Sequence, residues 1–245
     1  MKAKPATRNS NPATRNSQPV TRNPTGQRLT EMFDLLLTHF GSQDWWPAET
    51  ELEMMVGAVL TQNTNWKNVE KAIENLKQNN MLTLDCLASL DLSVLARTIR
   101  PAGYYNIKAK RLKNLILFIA DHYQADLSMF LEEETQTLRE GLLSVKGIGP
   151  ETADSIILYA AQRPLFVIDA YTYRILYRHS MCEEQATYDE LQELFMDHLY
   201  EDASLFNEFH ALIVQTGKNY CRRKPLCNRC PLEKWGPSSP VRDSE

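Results

Sequence analysis

Asp169 is the residue whose surroundings best suit it to chemistry. An apolar run, Phe166-Val167-Ile168, delivers it to the start of an amphipathic stretch, Ala170-Tyr171-Thr172-Tyr173-Arg174. A carboxylate at such a junction serves as a helix N-cap, or as a fixed negative charge that steadies a cation or takes a proton. Upstream, Leu142 to Ala153 carries Lys146-Gly147-Ile148-Gly149-Pro150, two glycines around one apolar residue with a proline opening the next helix. Glycine allows positive φ and close backbone approach, and proline suits a first helical turn. The outward amides of such a hairpin, with the positive end of the following helix, make a seat for a phosphate; an ordinary helix corner has the same spelling. Three of the five cysteines, Cys221, Cys227 and Cys230, fall within ten residues, while Cys86 and Cys182 stand apart. An odd, clustered count argues against a disulfide framework and for a metal site or its remnant in a reducing compartment. Trp45-Trp46-Pro47 and Trp66 are either core filling or an aromatic box.

The elements that must position these groups read as helices. Leu29, Met32, Phe33, Leu36 and Leu37 follow i, i+3, i+4, i+7 spacing, and the stretches 54–60, 69–76, 107–120, 153–161, 171–177 and 206–214 do likewise. Turns punctuate them at Gly41-Ser42, Trp46-Pro47, 100–103, 147–150 and Arg163-Pro164. Only Leu165–Ile168 has strand character, and it is too short to found a sheet, so the fold class is all-α. At 43% apolar residues in 245, the chain can build a substantial core. It has no apolar run of about 20 residues and no signal-like start, so a soluble, cytoplasmic monomer with no membrane contact is expected.

Charge is uneven. Residues 1–28 hold six basic side chains and no acid, in repeats reading PATRNSN, PATRNSQ and PVTRNPT; the other 217 residues hold 21 basic and 31 acidic ones, a net −10. A Pro/Thr/Arg/Asn repeat has too little apolar surface to offset ordering, so residues 1–26 read as a disordered basic tail. Bulk charge neither favours nor excludes a nucleic acid, because phosphate contact depends on the face presented.

Taken together, the hairpin at 146–150, Asp169 after it, and Leu60-Thr61-Gln62-Asn63-Thr64 before it resemble the endonuclease III-like DNA glycosylases of the helix-hairpin-helix superfamily. The likeness runs over about 29–235. It implies two helical domains with a DNA-binding cleft between them: one continuous, 49–163, with the helix-hairpin-helix at about 134–163, and one assembled from 27–48 plus 164–235. Residues 236–245 are read as a second disordered tail. By the same resemblance the hairpin residues Lys146, Gly147, Ile148 and Gly149 grip double-stranded DNA, Gln62 fills the hole left by a flipped base, and Asp169 is catalytic. Bifunctional members carry a lyase lysine two positions after the second hairpin glycine; that position is Glu151 here, and a carboxylate forms no Schiff base. Monofunctional base removal is expected. Breaking an N-glycosidic bond builds oxocarbenium-like charge on the sugar, which a carboxylate stabilises, and no cofactor is required.

A narrower likeness, to the bacterial 3-methyladenine DNA glycosylase III proteins, rests on Trp45-Trp46-Pro47, 57–64, 100–106, 108–112 and Phe209-His210. It implies a base pocket lined by Trp45, Trp46, Pro47 and Trp66, the last replacing a phenylalanine usual in that subgroup. An alkylated, cationic purine gains about 0.5–2 kcal/mol from an indole face. Many relatives hold a [4Fe–4S] cluster with C-x6-C-x2-C-x5-C spacing. Cys221, Cys227 and Cys230 give C-x5-C-x2-C with no fourth cysteine, a degenerate cluster site read as a relic loop in preference to a bound cluster. The rival readings are a glycosylase for oxidised pyrimidines or mismatches, and a non-catalytic DNA-binding module; the missing lysine weakens the oxidised-pyrimidine case, Trp45-Trp46-Pro47 favours an alkylated purine, and Asp169 argues against the non-catalytic module.

Overall fold

The computed structural model describes residues 24–43, 45 and 48–236, and every regular element among them is helical. In order these are α1 (Pro24–Phe40), α2 (Glu51–Thr61), α3 (Trp66–Gln78), α4 (Leu84–Ser89), α5 (Leu92–Thr98), a 3-10 turn at Arg100–Ala102, α6 (Tyr105–Tyr123), α7 (Leu127–Glu132), α8 (Thr135–Ser144), α9 (Pro150–Tyr159), α10 (Ala170–Arg178), α11 (Tyr188–Met196), α12 (Ala203–Asn219) and a 3-10 turn at Cys227–Arg229. The expectations for Trp46, Pro47, residues 1–23 and residues 237–245 fall outside the described residues. One boundary is corrected. Residues 24–26, placed in the N-terminal tail by composition, open α1 instead: Gly26 is buried and its carbonyl accepts from the Thr30 hydroxyl at 2.9 Å.

Four helices absent from the periodicity, α4, α5, α7 and α11, are six to nine residues long, too short for an apolar stripe to repeat. Three of them start on a side-chain cap: Thr83 on the Cys86 amide, Asp126 on that of Met129, and Thr187 in a reciprocal capping box with Glu190. Each such cap is worth about 1 kcal/mol.

α2 is the core of one group of helices. Leu52 to Leu60 are all buried, and α2 packs on α3, α6 and α9, with α4 and α5 laid against α6. In the other group α1 and α10 pack on α12. α9 touches both α2 and α12 and so joins the groups. No helix among the described residues is long and apolar enough to cross a membrane.

Two devices fix the segment that ends in Asp169. Phe166 stacks on Phe195 with ring centroids 3.7 Å apart and meets Phe206 and Phe209 edge-on. Burying each such ring contributes about 2 kcal/mol. Beneath it Asp154 of α9, wholly buried, accepts from Arg139 at 2.7 Å and from Tyr188 and Gln192 at 2.8 Å each. Gln192 also donates to the Phe166 carbonyl at 2.6 Å, so α8, α9, α11 and the 166–169 segment meet at one paired buried charge.

Candidate active site

The hairpin closes as its spelling predicts, but its two glycines work differently. Gly147 has φ +102°, and a Cβ there would lie 2.4 Å from Arg111 Cγ, so both backbone angle and packing require glycine. Gly149 has φ −106°, an ordinary angle, and the space its Cβ would take is open. Ile148 is buried and anchors the turn, while Lys146 is exposed and its carbonyl accepts from Asn114 at 2.8 Å. No side chain caps α9, so its first-turn amides and positive dipole end remain open to an anion.

Gln62 stands at the C-terminus of α2, facing this hairpin. Its amide nitrogen donates to the Thr152 hydroxyl at 2.8 Å and to the Gly147 carbonyl at 3.4 Å, and its carbonyl accepts from Arg111 at 2.5 Å. Behind it lies a group to which sequence reading gave no role. The Lys108 ammonium is 1% exposed and donates to the Leu60 and Ala102 carbonyls, both at 2.8 Å, and to the Thr64 hydroxyl. Burial pushes it down to about 8. It ties the Gln62 loop to the turn before α6, where Tyr104 holds a left-handed φ of +46° and stands 72% exposed. A large side chain kept in solvent on a disfavoured backbone angle is a mark of a contact surface.

Asp169 is the N-cap of α10 and more. Its Oδ1 accepts from the Thr172 amide at 2.7 Å and the Thr172 hydroxyl at 2.8 Å. Oδ2 faces His210 Nε2 at 3.8 Å, beyond hydrogen-bond reach. The two readings of this carboxylate, cap and reactive charge, thus use different oxygens. Glu151, in the first turn of α9, reaches solvent; desolvation and then the charge of Asp169 push its carboxyl up to about 7. Lys218 of α12 also reaches solvent from a walled position, and desolvation lowers it against the opposing pull of Asp169. It is an amine that feels the charge of Asp169 and to which the sequence gave no role.

Of the four aromatic-pocket residues, Trp45 and Trp66 are described and come together: their rings lie 6.3 Å apart, tilted by 46°. The Trp66 indole donates to Glu70 at 2.7 Å, and the Lys218 ammonium lies 5.4 Å over the Trp45 ring. A base sandwiched between them needs near-parallel rings about 7 Å apart, so one indole must turn on entry. A concavity of about 710 Å³, lined by Trp45, Tyr159, Pro164 and Asn207 among others, includes neither Asp169 nor Trp66.

The cysteine loop is held by the protein's own side chains. Arg178 donates to Cys221 Sγ at 3.4 Å and to the Arg222 carbonyl at 2.6 Å. Burial, Cys221 and Cys227 push the Cys230 thiol up to about 11. Six positions beyond Cys230, as x5 spacing requires, the fourth ligand position is Gly236, where a Cβ would lie 2.5 Å from the Arg28 guanidinium. Arg28 also stands 5.3 Å over the buried Trp235 ring, whose indole donates to the Arg28 carbonyl at 3.0 Å. Three cysteines, with a glycine beside a guanidinium where the fourth would stand in sequence, do not fit a cubane held by four thiolates. Protein purified without oxygen is therefore expected to carry near-zero iron and little absorbance near 400 nm (roughly where thiolate-bound clusters absorb); one cluster's worth of iron, lost in Cys227→Ser, would contradict this.

An all-helical fold with a glycine hairpin, an uncapped helix start and a carboxylate opening the next helix defines a class, and comparison with known proteins agrees. The model of the HhH-GPD superfamily of base excision DNA repair proteins matches residues 56–200. The chain is 47% identical over 210 residues to a Methanocaldococcus jannaschii protein provisionally named a DNA repair glycosylase, covering 85% of this chain and 96% of that protein. It is 36% identical to H. pylori 3-methyladenine DNA glycosylase, solved bound to 1,N6-ethenoadenine, with a TM-score of 0.68 over 79% of this chain and 97% of that one. An endonuclease III–DNA complex shares the fold at 20% identity and a TM-score of 0.74, over 87% and 95% of the two chains. The chain belongs to the HhH-GPD superfamily: it is a DNA glycosylase of base excision repair.

Proposed function

We propose that this glycosylase is monofunctional and excises a flipped alkylated purine, 3-methyladenine being the type, from duplex DNA. The observations that support the reading are that the charge of Asp169 acts on Glu151, a carboxylate where a lyase would hold its lysine, and that the indoles Trp45 and Trp66 come together. Phosphate would sit on the hairpin amides with Lys146 beside it, and Gln62 would leave Thr152 and Gly147 to fill the vacated stack. Tyr104, on the turn that Lys108 ties to the Gln62 loop, would press on the duplex at the same step. Trp46 and Pro47, outside the described residues, belong to the proposed pocket on the sequence resemblance alone.

In the reaction the bond from C1′ to the base nitrogen breaks, and its electron pair leaves with the base. An N3-alkylated adenine already carries positive charge and departs neutral, so it needs no proton. The carboxylate of Asp169 stabilises the cationic sugar until water adds to C1′ and loses a proton. The similarity to the H. pylori enzyme supports the alkylpurine choice.

One observation favours a second reading. Lys218 is an amine of lowered pKa facing Asp169, which is what a Schiff-base lysine requires. Incubation with methylated DNA decides between them. Free 3-methyladenine should appear while strands remain intact until alkali is added, and borohydride should trap no protein–DNA adduct. An adduct that disappears in Lys218→Arg would establish the lyase instead.

A further inference from the structure

Behind Asp169 the structure holds a buried polar group without a partner. His210, on α12, is 6% exposed; its Nδ1 lies 2.5 Å from the Tyr159 hydroxyl, and its Nε2 has no hydrogen-bond partner. That nitrogen points at Asp169 Oδ2, the oxygen Thr172 leaves open, across 3.8 Å. A buried polar atom lacking a partner by about an ångström is costly and is kept where the gap serves something.

The tautomer follows from the neighbours. Were Nε2 the bare nitrogen, its lone pair would face a carboxylate. The phenol of Tyr159 therefore donates to Nδ1, and Nε2 carries the hydrogen toward Oδ2. Asp169, Tyr159 and Lys218 are the charged or titratable groups facing this imidazole: Asp169 from the start of α10, Tyr159 from α9, and Lys218 from its own helix. Burial, with Lys218, lowers the imidazole's pKa against the pull of Asp169, so it is uncharged at neutral pH. An uncharged donor standing just off Oδ2 aims the carboxylate without cancelling its charge. An imidazolium there would form an ion pair with Asp169 and remove the negative field that the sugar cation needs.

We propose that His210, held by Tyr159, is a positioning residue that aims the open oxygen of Asp169 at the sugar while neutral, and disables it when protonated. This rests on the reading of Asp169 as the catalytic carboxylate. It adds that the acid side of the pH–rate profile belongs to the His210–Asp169 pair, not to Asp169 alone.

Two measurements on the whole protein test it. Nitrogen NMR of the histidines should show His210 protonated at Nε2 at pH 7.5, with a pKa that falls in Asp169→Asn as the attracting charge goes. In single-turnover base release from methylated DNA, His210→Gln supplies an uncharged amide that takes no proton. It should keep the pH 7.5 rate within about threefold and move the acid limb down by roughly one pH unit. His210→Ala should lose about thirtyfold at every pH. A His210 pKa indifferent to Asp169→Asn, or a His210→Gln profile overlying the wild type, overturns the proposal even with Asp169 essential. Full base release by Asp169→Asn would instead overturn the catalytic reading, leaving the NMR coupling to report on the contact by itself.

Discussion

Asp169→Asn is expected to lower single-turnover base release about a thousandfold, some 4 kcal/mol of transition-state stabilisation, with duplex affinity within about threefold of wild type. The amide is the informative replacement because Asp169 does two jobs with two oxygens. Asparagine is as good an N-cap as aspartate, so its carbonyl can keep the Thr172 bonds and α10 should start where it does now. What is lost is the charge on Oδ2, the oxygen that Thr172 leaves open. Thermal denaturation and binding to an abasic-site duplex would verify that fold and docking survive. Release within a tenth of wild type would remove Asp169 from the chemistry and reduce it to a cap.

Trp66→Ala should reduce 3-methyladenine release by about a hundredfold, whereas Trp66→Phe should stay within about threefold. The larger figure combines stacking, about 1–3 kcal/mol per base, with the attraction of a cationic ring to an indole face, about 0.5–2 kcal/mol. Phenylalanine keeps most of the first and part of the second. Discrimination against unmodified adenine should shrink in the alanine variant, since the charge-dependent part leaves with the ring; a neutral lesion, if excised, should lose less. Competition between methylated and unmodified oligonucleotides measures this directly. Wild-type release by Trp66→Ala would identify the Trp45–Trp66 pair as packing, and the alkylpurine reading would then lose its physical support.

The parts of the site visible in the sequence are those with local grammar. Gly147 needs its angle, Pro150 opens a helix and Asp169 starts one; each is a statement about neighbours a few residues away, and each is met in the fold. The long helices announced themselves by repeating an apolar stripe, and the short ones did not, although Thr187 and Glu190 spell a capping box that could have disclosed α11. What stayed hidden depends on residues far apart in the chain. The lysine under the Gln62 loop reaches back 48 residues to the Leu60 carbonyl; His210 is 41 positions beyond Asp169; and the Arg111 that makes Gly147 obligatory is 36 positions before it. No spacing rule links such pairs, and burial of a lysine or histidine runs against the ordinary expectation for its type. The cysteine loop was half legible: the missing ligand could be counted, but the guanidinium that stands there comes from the first helix.

That guanidinium has a topological consequence. Through Arg28 and Trp235 the first turns of α1 touch residues 235 and 236, so the folded body is nearly a closed ring of chain. A few residues of linker would join 236 to 24, and the ring could be opened elsewhere, for example at the exposed turn of Asn79 and Asn80. Such a permuted chain would carry α1 directly after the cysteine loop, making continuous in sequence the helices α10, α12 and α1 that pack together.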